Sequence, residues 1–325
     1  MRALIQHQFG NPTEVLTVED VDTPEPGPGE VRVRMLASAI HNHDLWTVSG
    51  DYGFKPEMPA AAGTEAVGVV DALGEGVDGL QVGQRVASAG TFGVWSELFV
   101  AKAATLIPVS DAIPDEVATQ LVSMPFSAIS LLESLDLNEG DWLVLNAANG
   151  AVGRLVAQLA KGRGVNVVGL VRREAGVAEL ADQGIGRIVA TDADGWQDRV
   201  RELTGGAPLR AGVDQVGGRA AGDMLELLGD DSTLVVFGAM DSPKLELSSG
   251  PIIFKHVTIR GFWGSRVSAT MAAQDRTRLM GELFARLSDG TITLPVDSTF
   301  PLENIADAVA AHYTPGRVGK VLLRP

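Results

Sequence analysis

The sequence predicts an α/β protein in which a doubly wound parallel sheet is inserted into a smaller β-rich domain. Three observations predict it: short strand-like segments in the first third, apolar strands alternating with helices in the middle, and mixed structure at the end. Strands that are apolar throughout are typical of a parallel sheet covered by helices on both faces. We therefore expect residues 1–118 and 260–325 to form the β-rich domain, and residues 119–259 the α/β domain.

The first third contains β-branched or alternating apolar residues in short segments bounded by turn residues. The Pro/Gly-rich stretch 23–30 is typical of a turn rather than a linker, because strand patterns resume directly after it. Strands are predicted at residues 1–6, 31–37, 67–73 and 85–87.

The middle and the end of the chain alternate strands with helices. Strands are predicted at residues 141–146, 166–171, 187–190, 212–216 and 233–237, and again at 257–262 and 318–323. Helices are predicted at residues 127–134, 152–161, 177–183, 198–204 and 220–228, and again at 272–287 and 305–312.

The composition limits the possible classes of function. A net charge of -15 repels phosphate backbones and anionic lipids, so we expect neither nucleic acid nor a membrane as partner. The absence of cysteine excludes disulfides, thiolate zinc sites and a cysteine nucleophile. No apolar run approaches the roughly 20 residues needed to span a bilayer. These features favour a cytoplasmic enzyme.

An apolar strand runs into a small-residue turn within residues 141–153, and a helix follows directly. This context is that of a Rossmann dinucleotide fingerprint, in which glycines admit the pyrophosphate and let helix and strand pack closely. Ala148 replaces the first glycine, so in isolation the turn is equally compatible with a strand–helix junction that binds nothing. The surrounding alternation favours a nucleotide site. The candidate cofactor-binding residues are Asn149, Gly150, Ala151, Val152 and Gly153.

The next predicted strand ends in Arg172 and Arg173, with Glu174 one position later. Enzymes that prefer NAD place a carboxylate here to bind the ribose 2′-hydroxyl, whereas arginine neutralises the 2′-phosphate of NADP. A solvated basic loop is the alternative interpretation. The position favours NADPH as the cofactor.

Five segments carry a resemblance to a known family. They are residues 49–53 (SGDYG), 59–68 (PAAAGTEAVG), 146–153 (NAANGAVG), Phe254-Lys255 with 260–263 (RGFW), and 318–320 (VGK). Their order resembles the zinc-free quinone oxidoreductase branch of the medium-chain dehydrogenases/reductases. Within that branch the chain is most similar to mitochondrial-type trans-2-enoyl-thioester reductases. A second tryptophan, which those reductases carry soon after Gly-Phe-Trp, is missing here.

The resemblance implies a Rossmann domain inserted in a GroES-like domain, and a homodimer formed through edge strands near residues 233–237 and 257–261. It also implies roles for individual residues. Asn42, Trp46 and Trp263 would contact substrate, although Trp263 could instead be a core aromatic. Lys320 would bind cofactor or simply end a strand. The other cofactor-binding candidates are Ser127, Phe237, Gly238, Ala239, Met240, Phe262, Trp263 and Gly264.

No metal is expected. At the positions of the three zinc ligands of zinc-dependent relatives, this chain has His41, Thr64 and the cysteine-free stretch 123–127. One candidate ligand does not hold zinc, which takes three protein ligands plus water. His41 and His43 are expected to alternate on a strand-like segment and to point to opposite faces.

A reaction that needs no metal is the reduction of an activated C=C bond by NADPH, in which hydride passes to the β-carbon and a proton to the α-carbon. Tyr52 is the candidate proton donor, because a phenol is protonated at neutral pH. In the alternative, an NADPH:quinone or small-enone reductase, Tyr52 only packs on the nicotinamide. A non-catalytic NADPH-binding protein and a zinc alcohol dehydrogenase are the more remote alternatives.

Overall fold

The structure is a computed structural model that describes residues 1–183 and 185–325. Their backbone forms two compact units. The β-rich unit comprises Met1–Met124 and Leu294–Pro325, and the Rossmann unit comprises Pro125–Thr293. The sequence places the second boundary too early, at 259/260, and the first slightly too early, at 118/119.

The first segment of the β-rich unit is mostly strands, as the sequence predicts. Its sheet strands and short helices are β1 (Arg2–Gln6), α1 (Pro12–Val15), β2 (Thr17–Asp20), β3 (Glu30–Ala39), α2 (Asn42–Ser49), β4 (Ala60–Ala61), β5 (Glu65–Leu73), β6 (Arg85–Ala89), β7 (Leu98–Lys102), β8 (Ile107–Pro108) and α3 (Asp115–Ala118).

The Rossmann unit alternates helices and strands. In order they are α4 (Ser123–Ser134), which begins just before the boundary, β9 (Trp142–Leu145), α5 (Ala151–Gly162), β10 (Asn166–Val171), α6 (Glu174–Ala181), β11 (Ile188–Ala190), α7 (Trp196–Thr204), β12 (Leu209–Asp214), α8 (Gly218–Leu227), β13 (Leu228–Val236), α9 (Ser249–Phe254), β14 (Thr258–Gly261), α10 (Gly264–Thr270) and α11 (Ala273–Ser288). The chain then returns to the β-rich unit with β15 (Val296–Pro301), α12 (Ile305–His312) and β16 (Lys320–Arg324).

The sheet of the Rossmann unit has the order β11-β10-β9-β12-β13-β14, and every neighbouring pair is parallel. This is the doubly wound order, in which the direction of winding reverses between β9 and β12. The predicted fold class is therefore confirmed. Of the two segments expected at the sheet edge, 233–237 is wrong, because β13 pairs on both sides, and β14 is the edge among the described strands.

The later boundary of the Rossmann unit has a physical cause. β14 adds in parallel to β13, so the segment after residue 259 continues the same sheet. α11 is then held to the end of α5 by a bidentate ion pair, in which Arg163 donates to both carboxylate oxygens of Glu282 at 3.0 and 2.8 Å. The chain leaves this unit only after α11.

The β-rich unit is built on a sheet of order β15-β16-β3-β5-β6-β8, with β7 also pairing with β3. β16 pairs antiparallel with β3, and β15 pairs parallel with β16. Its core combines β3 side chains with Trp95, and includes Val31, Val33, Met35, Trp95, Val321 and Leu323. The end of the chain is thus part of the sheet formed by its beginning.

Candidate active site

The Gly-rich turn connects β9 to α5, as the sequence predicts. Gly150 is the N-cap, and the first helical hydrogen bond runs from Arg154 N–H to Gly150 O at 3.0 Å. The amides of Ala151, Val152 and Gly153 precede that bond, so they are the orphan donors of the helix N-terminus. Such a terminus, together with the helix dipole, is suited to phosphate. Asn149 lies in the same turn.

Gly153 is required by close packing at this turn. A Cβ there would lie 2.5 Å from Ala147 O and 2.9 Å from Ala148 Cα, which is inside any normal contact distance. The helix can approach the end of β9 this closely only with glycine at this position. The close approach of helix and strand that the fingerprint predicts is therefore present, although Ala148 replaces its first glycine.

A buried polar network fixes the carboxyl ends of β9 and β12, where the sheet order reverses. The Asn146 amide donates to Asp214 Oδ1 at 2.5 Å, and Asn146 Oδ1 accepts from Gln215 N–H at 2.7 Å. Gln215 Nε2 donates back to Asn146 O at 2.6 Å. Ligands of doubly wound sheets bind at this reversal point. Asp214 and Gln215 are not predictable from the sequence alone, because their partner Asn146 lies 68 and 69 residues away in the chain.

Arg172 and Arg173 follow β10, and both are exposed. Arg173 is the N-cap of α6, and Glu174 is the first residue of that helix. The two guanidinium groups therefore stand at the carboxyl end of the strand beside β9, where the ribose of a dinucleotide is bound in this fold. Their position fits a 2′-phosphate.

The remaining cofactor candidates follow β13 and β14, at the same carboxyl edge of the sheet. Phe237, Gly238, Ala239 and Met240 follow β13, and the ring of Phe237 lies 5.9 Å from that of Phe262, centroid to centroid. Phe262, Trp263 and Gly264 follow β14. Trp263 is 46% exposed and so is not a core residue. A Cβ on Gly264 would lie 2.7 Å from Ser127 Oγ, so Ser127 packs against this glycine.

In the β-rich unit, a buried hydrogen-bonded array occupies the region of the candidate metal position. Lys320 Nζ donates to His41 Nδ1 at 2.8 Å, and His41 Nε2 lies 2.6 Å from Glu65 Oε2. All three residues are buried. Because Nδ1 accepts from lysine, Nε2 carries the hydrogen and donates to the carboxylate. Both nitrogens of His41 are therefore engaged with protein groups.

The electrostatics of this array follow from its burial. Burial, and then the charge of Lys320, hold the pKa of His41 well below its usual range, so this imidazole is neutral. Burial also raises the pKa of Glu65 to about 7. Two amides oppose that rise, since Val122 and Ser123 donate to Glu65 Oε1 at 2.9 and 2.7 Å. Lys320 was expected to bind cofactor or to end a strand; it begins β16 and points to these interior groups.

The prediction that His41 and His43 lie on a strand and point to opposite faces is wrong. His41 is the N-cap of α2, and His43 lies in the first turn. The helix begins here because Asp44 Oδ2 accepts from His41 N–H at 2.8 Å, as in a capping box. The two imidazole rings consequently stack, with centroids 5.0 Å apart and planes 11° from parallel.

A second series of hydrogen bonds starts at His43. Thr64 Oγ1 lies 2.6 Å from Asp44 Oδ1 and 2.8 Å from His43 Nε2. Asp44 and Thr64 are buried, whereas the side chain of His43 is 22% exposed. From the sequence, Thr64 is identified only as a residue at the position of a zinc ligand, and Asp44 is not identified at all. The spacing of Asp44 three residues after the N-cap was a signal that could have identified it.

Tyr52 lies immediately beyond α2, and its ring is 5.8 Å from that of His43, centroid to centroid. Its backbone N–H donates to Trp46 O at 3.1 Å, so the helix end sets the position of the loop. Asn42, in the first turn of the same helix, receives a 2.7 Å hydrogen bond from His312 Nε2 to its side-chain oxygen. Asn42, Trp46 and Tyr52 are thus brought together on α2 and the loop that follows it.

Among the described residues, no group of three or more histidine, cysteine, aspartate or glutamate side chains is arranged to hold a metal ion. In the same part of the chain, no helix is long and apolar enough to cross a membrane.

Two family models match the chain. Residues 27–111 match the alcohol dehydrogenase GroES-like domain, and residues 151–280 match the model described as zinc-binding dehydrogenase. The chain is 31% identical to the mitochondrial enoyl-[acyl-carrier-protein] reductase of Homo sapiens over 99% of this chain and 88% of the relative. It is 32% identical to the Arabidopsis thaliana reductase of the same name, over 81% of this chain and 72% of the relative.

Solved structures are similar to this chain over its whole length. A quinone oxidoreductase of Pseudomonas syringae superposes with a TM-score of 0.90 at 27% identity, and the match covers 100% of each chain. A mycobacterial protein complexed with NADPH superposes with a TM-score of 0.89 at 29% identity, again over 100% of each chain.

The fold, the dinucleotide turn and these similarities define the class: the protein is an oxidoreductase with a Rossmann unit and a GroES-like unit. More particularly, the chain belongs to the medium-chain dehydrogenase/reductase superfamily, close to the mitochondrial enoyl-[acyl-carrier-protein] reductases and the quinone oxidoreductases.

Proposed function

We propose that the protein uses NADPH to reduce the C=C bond of a 2-enoyl thioester, with Tyr52 as the proton donor. The observation that carries the proposal is the position of Tyr52, directly after α2 and beside His43. The surroundings of His41 support chemistry that requires no bound metal, because both of its ring nitrogens already bond Lys320 and Glu65. The 31% identity to a mitochondrial enoyl reductase supports the substrate class.

The residues of the Rossmann unit fit NADPH. The N-terminal amides of α5 would bind the pyrophosphate, and Arg172 and Arg173 would bind the 2′-phosphate. Phe237 and Phe262 follow β13 and β14, which end at the same edge of the sheet. The nicotinamide half of the cofactor would bind beside these two rings. Bound NADPH supplies a hydride.

The residues of the β-rich unit would handle the substrate and its proton. A hydride added at the β-carbon leaves negative charge on the α-carbon and the thioester carbonyl. The Tyr52 phenol then gives its proton to the α-carbon, which completes the saturated thioester. His312 orients the side chain of Asn42 by donating a hydrogen bond to its oxygen, and this fixed orientation supports the proposed role of Asn42 as a substrate contact.

A second candidate function is reduction of a quinone or small enone. It is supported by the full-length similarity to the quinone oxidoreductase of Pseudomonas syringae and by the lack of a second tryptophan after Trp263. In that case Tyr52 packs against the nicotinamide and gives up no proton.

The deciding experiment follows NADPH absorbance with crotonyl-CoA and 1,4-benzoquinone as parallel acceptors. We expect crotonyl-CoA turnover, and we expect Tyr52→Phe to lower its kcat by about 100-fold or more, since general acids contribute on that scale. Tyr313→Phe is the matched control, because Tyr313 is the only other tyrosine in the chain and is 53% exposed. Turnover of quinone alone, unaffected by Tyr52→Phe, would move the function to quinone reduction.

We also propose that the protein is a homodimer formed through β14. This strand is the edge of the Rossmann sheet in the described chain, and the apolar side chains of Ile253 and Phe254, just before it, are 57% and 83% exposed. An open edge beside exposed apolar side chains is a template for pairing with another chain. The mass of the protein in solution tests this proposal.

A further inference from the structure

The hydrogen bonds around His43 fix which of its nitrogens carries a proton. A carboxylate only accepts, so in the 2.6 Å contact with Asp44 Oδ1 the Thr64 hydroxyl is the donor. That hydroxyl has one hydrogen, so in the 2.8 Å contact with Thr64 Oγ1 the donor is His43 Nε2. Neutral His43 therefore carries its hydrogen on Nε2, and its Nδ1 has a lone pair that can take up a second proton.

The same series connects His43 to a carboxylate. A proton gained at Nδ1 places positive charge on an imidazole whose other nitrogen is linked through Thr64 to Asp44. The carboxylate of Asp44 also lies directly 3.6 Å from Nε2. An acid–base histidine held by a carboxylate through its second nitrogen is the arrangement used in catalytic triads, here with a threonine hydroxyl inserted.

The groups that face His43 are known from the contacts of α2, its following loop and β5. The His41 ring stacks on it and bonds Lys320 and Glu65 in turn, and the centroid of the Tyr52 ring lies 5.8 Å from that of His43. His43 remains 22% exposed, so solvent can reach it. His43 is thus a partly exposed imidazole beside the candidate proton donor of the reaction.

We propose that His43 is a proton-relay residue that restores the proton of Tyr52 after each turnover, with Thr64 and Asp44 as its positioning residues. The inference rests on the proposed reductase function. When the O–H bond of Tyr52 breaks and the α-carbon gains the proton, a tyrosinate is left. The N–H bond at Nδ1 of protonated His43 then breaks, the phenol re-forms, and neutral His43 keeps its Nε2 hydrogen. Solvent water supplies the next proton to Nδ1.

The relay makes a kinetic prediction that a structural role does not make. Tyr52 already carries a proton when the first substrate arrives, so a single turnover of His43→Gln proceeds at close to the wild-type rate. Later turnovers start from tyrosinate without its proposed donor, so we expect steady-state kcat to fall by about 10-fold or more and added imidazole to restore part of it. His7→Gln is the control, because His7 is an exposed histidine that contacts Glu19 away from this series.

Two further variants test the role of Thr64. Thr64→Val removes the hydroxyl and should reproduce the loss of steady-state rate, whereas Thr64→Ser keeps the hydroxyl and should retain the wild-type kinetics. Imidazole ¹⁵N shifts read the tautomer without any substrate: we expect a hydrogen on Nε2 in the wild type and loss of that preference in Thr64→Val.

Each contrary result has a distinct meaning. Equal loss of the first and later turnovers in His43→Gln overturns the relay, because His43 then acts on substrate or on structure. A hydrogen on Nδ1 in neutral wild-type protein also overturns it, whatever the activity. Failure of the wild type to reduce either crotonyl-CoA or quinone instead overturns the proposed function on which the relay depends.

Discussion

At the residue scale, buried charge is stabilised in this protein by short hydrogen-bonded series. His41 separates Lys320 from Glu65, so a buried cation and a buried carboxylate share one neutral imidazole. Burying either charge alone would cost several kcal/mol (~3–5). The charges of Lys320 and Glu65 are thus compensated within the buried array, whereas His43 in the neighbouring series is partly exposed to water.

At the residue scale, Arg172 and Arg173 are the proposed determinants of the cofactor preference. We expect the double change of both residues to serine to raise the KM for NADPH by about 10- to 100-fold, since a charged hydrogen bond is worth about 1.5–3 kcal/mol. The KM for NADH should change little, because NADH has no 2′-phosphate. Both side chains are exposed, so folding should be retained.

The control for this prediction is Arg201→Ser. Arg201 is an exposed arginine of α7 whose ion pair with Asp198 lies on the helix surface. Steady-state kinetics with both nucleotides give the ratio of the KM for NADPH to the KM for NADH. An unchanged NADPH-to-NADH ratio in the double variant would show that these arginines form only a solvated loop.

At the scale of single elements, the junction of β9 and α5 offers a matched pair of substitutions. Gly153→Ala places a Cβ 2.5 Å from Ala147 O, whereas Gly281→Ala in α11 meets no atom within 4 Å. We expect Gly281→Ala to raise the free energy of unfolding by up to about 1 kcal/mol through helix propensity. Gly153→Ala should lower it by about 1–3 kcal/mol through strain and should weaken NADPH binding.

Urea unfolding and NADPH titration measure the two effects separately. If Gly153→Ala proved as stable as Gly281→Ala and bound NADPH normally, the close approach of α5 to β9 would not be what positions the cofactor.

Helices and strands were predictable where a hydrophobic pattern extended over many residues. They were not predictable where a capping interaction determines the start of a helix. The alternation of residues 141–237 predicts the order of the Rossmann strands and helices, although β13 begins five residues before the predicted 233–237. By contrast, α2 was missed, because histidine is a weak signal for an N-cap and its capping partner Asp44 was not recognised. The Lys320–His41–Glu65 array could not be predicted, because its members lie on three distant segments that only the folded sheet brings together.

At the scale of the whole molecule, the exposed apolar side chains before β14 bear on assembly. We expect the wild type to sediment at twice the chain mass at micromolar concentration, and Phe254→Glu to sediment at the chain mass, because it places charge in the proposed interface. Val82→Glu is the control, since Val82 is 64% exposed but lies in the β-rich unit. A monomeric wild type would contradict the proposed dimer.

The pairing of β16 with β3 has a consequence for synthesis on the ribosome. β3 is made early, but its neighbour β16 emerges only after the complete Rossmann unit has been translated. Domains generally fold as units while the chain grows. We therefore expect the inserted unit to fold first, while β3 lacks this partner and exposes apolar surface to the nascent chain's surroundings. The dinucleotide site is then formed before Lys320 arrives to complete the array around His41.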